Sequence, residues 1–198
     1  MRILASFFII ITLSACMATA PRRPLIAPNS VYNQIGAKVK SPSETGWSLV
    51  QINNIGVAFG KQYGPVNETA IANTVIFKVE GSKSDKDFLN YIASQREKQD
   101  DKKRFNILSA TNEQVTFKGA ACLKYSGLSE DHKNKGLDST DFQYLTTAGY
   151  VCRHPASKVT AFQMEISYRS REQIFPQELI SIGQEFFNNI QFTDSGLK

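Results

Sequence analysis

The cleanest alternation of apolar and polar positions lies late in the chain, where Phe162, Met164, Ile166 and Tyr168 are separated by Gln163, Glu165 and Ser167. A period of two marks a strand with one face on a core and the other turned away. The same period, less regular, predicts strands over 69–80, 105–111, 114–128, 141–153 and 158–169. Shorter strands are predicted at 47–52 and 55–60, separated by Asn53-Asn54, a pair that tolerates positive φ in a turn. Gly60 to Gly64, followed by Pro65, breaks the pattern.

Two stretches switch to helical spacing. Ser84 with Asp87 three residues later reads as an N-cap and capping box. Phe88, Tyr91, Ile92 and Gln95 then fall on one face, and the mixed charges from Glu97 to Arg104 read as a solvated helix end. The second helix begins at Pro176, a residue suited to the first helical position. Leu179, Gly183, Phe186 and Ile190 give it a broad apolar face that should lie across a sheet. Strands, helix, strands, helix is the order of an α+β fold. The expected architecture is one antiparallel sheet of about six to seven strands packed with two helices, an α/β sandwich. In element order, residues 47–193 are similar to the small α/β sandwich of the PsbP type. That resemblance implies a fold and no activity, since such folds host binding modules of many kinds.

The N-terminus obeys neither period. Arg2 precedes an unbroken apolar run from Ile3 to Leu13, too short to span a bilayer, which takes about 20 residues. A basic head, a short apolar run and small residues form a secretory signal. Its end, Leu13-Ser14-Ala15-Cys16, resembles the lipobox of bacterial lipoproteins. The resemblance implies a diacylglyceryl group on the Cys16 thiol and cleavage between Ala15 and Cys16. Residues 1–15 are then the signal peptide, 16–46 the lipidated N-terminus and tether, and 47–198 the globular domain. Each buried methylene contributes roughly 0.8 kcal/mol, and stable anchoring takes two acyl chains. Met17, and not Asp, follows the cysteine, which in the enterobacterial sorting pattern implies the outer membrane. Four of the seven prolines fall between 17 and 46, as expected of a semi-extended tether. Val31, Tyr32, Ile35 and Val39 are its apolar exceptions, and they leave open an edge strand packed on the domain.

Charge changes the picture only once it is located. The precursor carries 23 basic and 18 acidic side chains, +5 overall. Arg2, Arg22, Arg23, Lys38 and Lys40 hold most of that excess, so the stretch from Trp47 onward is close to neutral. A nucleic-acid partner, which needs a basic face on the folded domain, is not expected. The expected membrane contact is the N-terminal lipid.

Cys122 and Cys152 remain once Cys16 is lipidated, an even pair in an oxidising compartment. Placed opposite one another in a hairpin, they put the turn at Gly136-Leu137. The same register sets Leu123 against Val151 and Tyr125 against Gly149. A structural disulfide is expected.

Catalytic and metal motifs fail on inspection. His132 and His154 are the only histidines, and the pair Cys152-x-His154 is too few ligands for zinc. Asp131-x-Lys133-x-Lys135-Gly136 has the opening spacing of a calcium loop, but lysines occupy two ligand positions and Phe142 stands where the glutamate belongs. There is no Gly-x-Ser-x-Gly elbow, and the carboxylates are scattered singly. No cofactor is expected. The leading expectation is a lipid-anchored, non-enzymatic module of the cell envelope that binds another envelope protein. The alternatives are a small-ligand or lipid carrier with an apolar pocket between sheet and helix, and a hydrolase with dispersed carboxylates.

Overall fold

The computed structural model describes residues 23–63, 68–79, 84–99, 102–133 and 140–197. The lipobox with Cys16 and the turn at Gly136-Leu137 lie outside the described residues. A seven-stranded antiparallel sheet dominates. Its strands, in chain order after a short N-terminal hairpin (β1 Val31–Gln34, β2 Ala37–Lys40), are β3 (Ser48–Asn53), β4 (Gly56–Gln62), β5 (Thr69–Lys78), β6 (Phe105–Phe117), β7 (Ala120–Asp131), β8 (Gln143–Arg153) and β9 (Thr160–Ser170). They stand in the order β3-β4-β5-β9-β8-β7-β6. Helix α1 (Asp85–Gln99) follows β5, α2 (Gln177–Asn189) follows β9, and a final strand β10 (Gln191–Phe192) pairs with β2 in a separate three-stranded sheet, β1-β2-β10. The chain is an α+β sandwich.

The alternation of β9 decides the layers. Phe162, Met164, Ile166 and Tyr168 are buried, and their cross-strand partners Cys152, Tyr150, Ala148 and Thr146 share the same side of the sheet. Against this side α2 lays Leu179, Ile182, Phe186 and Phe187, and Val39 and Trp47 close the cluster. Fully burying such a side chain contributes roughly 1.5–3 kcal/mol. The other side is covered only in part. Phe88, Leu89 and Ile92 of α1 pack on Leu123, Tyr125, Val151 and Ala161, forming a second, smaller cluster.

The start of α1 is a capping box. The Asp87 amide donates to Ser84 Oγ at 3.1 Å, and the Ser84 amide donates back to Asp87 Oδ2 at 3.2 Å. Its buried face is Phe88, Leu89 and Ile92, whereas Tyr91 is exposed, so the stripe lies one position away from that predicted.

Two expectations need correction. Residues 23–46 are not a free tether. Ile26 donates to the Trp47 carbonyl at 2.9 Å, β2 pairs with β10, and Val39 is fully buried, so the fold begins well before Trp47. Of the apolar residues set apart in the sequence, Val39 is buried and Tyr32 and Ile35 pack on the core, whereas Val31 is exposed. Nor do strands break between 111 and 114, because β6 runs unbroken for 13 residues. The turn to β7 is Lys118-Gly119, both at positive φ (53° and 75°), the backbone that a two-residue hairpin loop requires. From that turn Lys118 Nζ reaches the carbonyls of Asn188 (2.6 Å) and Ile190 (2.5 Å), closing the C-terminal end of α2.

Candidate functional site

The partly covered side of the sheet carries the polar half of the β9 alternation: Gln163, Glu165 and Ser167. Register places Glu165 in one cross-strand row, Asn112, Tyr125, Gly149, Glu165 and Asn73, running across β6, β7, β8, β9 and β5. Gly149 makes the row work. A Cβ there would lie 2.2 Å from the Met164 carbonyl and 2.8 Å from the Tyr125 hydroxyl. Without one, the Tyr125 phenol crosses the gap and donates to Glu165 Oε2 at 2.7 Å. Gln163 Nε2 donates to the Tyr125 oxygen at 3.1 Å, fixing the phenol from the other side. The Arg96 guanidinium, from the last turns of α1, lies 3.3 Å above the Tyr125 ring centroid.

Burial pushes the Glu165 carboxyl up, against the hydrogen bond from Tyr125, the charge of Arg96 and the amides of Asn73 and Gln163. Burial, followed by the charge of Glu165, raises the Tyr125 hydroxyl well above its ordinary range, so it remains a proton donor. A half-buried acid held by a tyrosine beside a stacked cation is the kind of perturbed group that gathers at functional sites. Above it opens a cleft of about 300 Å³ between the end of α1 and strands β6 to β9.

At the β7–β8 end of the same side, Asp131 is fully buried between two arginines. Arg104 holds it through Nε (2.7 Å) and Nη2 (2.8 Å), Arg169 Nη2 lies at 2.6 Å, and the Lys133 amide donates at 3.0 Å. This network pins the ends of β7 and β9 and the approach to β6.

The residues singled out in the sequence fall elsewhere. Cys122 and Cys152 are directly opposed and joined by a disulfide, with Leu123 against Val151 and Tyr125 against Gly149. The bond lies on the α2 side, facing away from the cleft. His154 is buried, its Nδ1 accepts from the Ala156 amide (3.2 Å), and Nε2 therefore donates to the Gly36 carbonyl (2.8 Å). It ties β8 to the N-terminal hairpin. His132 contacts Glu130 at 3.3 Å and packs on Phe142. Among the described residues no three His, Cys, Asp or Glu side chains gather to hold a metal. No described helix is long and apolar enough to cross a membrane.

The cleft residues were missed because each is ordinary in its own strand. The one local signal was Tyr125 opposite Gly149, an aromatic ring placed over a residue without a side chain.

No protein-family model matches the chain, and no curated protein matches it in sequence. Solved structures similar to it include the Saccharomyces cerevisiae Ran-binding protein Mog1p, at 13% identity and TM-score 0.47, covering 82% of this chain and 93% of that one. The cyanobacterial PsbP of Synechocystis is 12% identical with TM-score 0.44, covering 91% and 99%. A Bacteroides thetaiotaomicron protein is 15% identical with TM-score 0.45, covering 82% of this chain. This chain spans about half of that protein's length (47%). Identities and TM-scores this low transfer no activity or partner.

Proposed function

We propose that this chain is a lipid-anchored cell-envelope protein, held at the outer membrane through Cys16, whose folded part is a non-enzymatic module that binds another envelope protein. The observation that supports binding is strand β6. It is an edge strand paired only with β7 among the described strands, and ten of its thirteen residues are exposed. Unpaired edges are templates for strand addition, and proteins normally guard them with lysine, proline or short length. Over Phe105–Phe117 there is neither lysine nor proline, Glu113 is the one charge, and beyond the register shift between Ile107 and Ser109 the pairing with β7 is regular to Phe117.

The carrier alternative has less support. Between α2 and the sheet, where an apolar ligand would sit, there is a cleft of about 340 Å³ lined by Tyr150, Ile166, Ile180 and Phe187. Glu113 and Lys124 also line it, however, and Phe59, Phe162 and Phe186 are fully buried in the core. The hydrolase alternative gains one half-buried carboxylate at the cleft, Glu165, whose Oε2 already accepts from Tyr125.

Photocrosslinking in intact cells tests the proposal. A photoreactive phenylalanine at Thr116, on the β6 edge, is expected to give a discrete protein adduct, and the same residue at Gln51, on the opposite edge, is not. Adducts of equal yield from both edges, or from neither, contradict it.

A further inference from the structure

The cleft over the Tyr125–Glu165 pair has its own chemistry, independent of the β6 edge. We propose that it is a binding site for a neutral carbohydrate of mono- or disaccharide size.

Four features point to that class. The volume, about 300 Å³, falls at the lower end of small-molecule sites, roughly 300–1,000 Å³. Its charges offset one another, since Arg96 lines it together with Glu97 and Glu165. An ionic ligand therefore gains little there. Planar forked groups come from Arg96, Gln163 and Glu165, with the hydroxyl of Thr147 beside them. Such forks present paired donors or acceptors that match the vicinal hydroxyls of a pyranose. Finally, Phe105 and Leu145 supply apolar wall to receive the C–H face of a sugar ring.

Pre-organisation favours binding. Tyr125, Gln163 and Glu165 already hold one another at 2.7–3.1 Å, so little side-chain freedom remains to be lost. Arg96 is steadied by stacking on Tyr125.

The full-length protein, purified in detergent, is titrated with N,N′-diacetylchitobiose and separately with cellobiose, read by saturation-transfer NMR of the sugar protons. Inorganic phosphate at equal concentration serves as the ionic competitor. Saturable transfer to at least one sugar, not displaced by phosphate, is expected. Thr147→Leu, which fills the cleft, and Arg96→Ala should each weaken binding at least about tenfold, a change of roughly 1.4 kcal/mol. Lys86→Ala, at the far end of α1, should leave it unchanged. No transfer to either sugar, unchanged binding in a folded Thr147→Leu protein, or displacement by phosphate overturns the assignment. Because β6 crosslinking is read separately, failure here leaves the protein-partner proposal standing.

Discussion

Replacing Cys122 and Cys152 together by alanine is expected to lower stability by roughly 3–4 kcal/mol without unfolding the domain at room temperature. The two cysteines are 30 residues apart, and closing a loop of that size removes entropy from the unfolded chain, raising its free energy by about this much in the chain-entropy model. For a domain of this size each kcal/mol moves the melting temperature by about 2–4 °C, so a fall of roughly 10 °C is expected. Retention of the fold follows from burial that does not involve the disulfide: Phe162, Met164 and Ile166 beneath α2 remain in place. The bond also guards register. A slip of one residue would turn Cys122 and Cys152 to opposite faces and send Tyr125 to the α2 side, away from Glu165. Thermal melts of wild type, wild type with reductant and the double variant check this. Coincident melts for all three would show that the bond carries no stability.

The second large effect concerns Asp131. Burial alone would raise its carboxyl, but the Arg104 hydrogen bonds, the Lys133 amide and the charges of Arg169 and Arg104 outweigh burial and hold it at about 2. A carboxyl whose folded pKa is depressed gives stability that is present above its unfolded value, near 4, and is lost as pH falls through about 2. Asp131→Asn keeps the shape and removes the charge, leaving two guanidinium groups without their anion. Removing one partner of a buried pair costs about 3–5 kcal/mol, and because both arginines reach solvent the expected loss is the lower figure, about 3 kcal/mol at neutral pH. Denaturant titrations at pH 7, 4 and 2.5 should show the gap between wild type and variant closing as pH falls. A gap that persists at low pH would mean that the loss is one of shape and not of charge.

Much of the sheet was legible because its signals are local. The period of two in β9 named the buried face, and the spacing of two cysteines set the β7–β8 register with Leu123 against Val151. The Ser84–Asp87 box was equally local. What sequence missed is nonlocal or lacks a burial contrast. Strand β6 lies at an edge with both faces largely open, so nothing forces alternation, and its polar middle reads as a break. Lys118 is not a usual turn signal, although its partner Gly119 is. The N-terminal hairpin is fixed by pairing Ala37 with Phe192 at the far end of the chain, a contact no window reveals. The cleft is the extreme case. Arg96, Tyr125, Gly149 and Glu165 come from four elements, and only the order β9-β8-β7 beneath α1 brings them together. Singly they look like surface charges and core residues.

The proposed anchoring of Cys16 at a membrane would supply both an oxidising compartment for the disulfide and the envelope surroundings of the β6 edge. Metabolic labelling with a fatty acid, combined with membrane fractionation of wild type and Cys16→Ser, tests it most directly. Wild type should carry label and sediment with membranes, whereas Cys16→Ser should carry none and appear in the soluble fraction. Label retained on Cys16→Ser, or a wild-type protein that is unlabelled and soluble, would contradict the account.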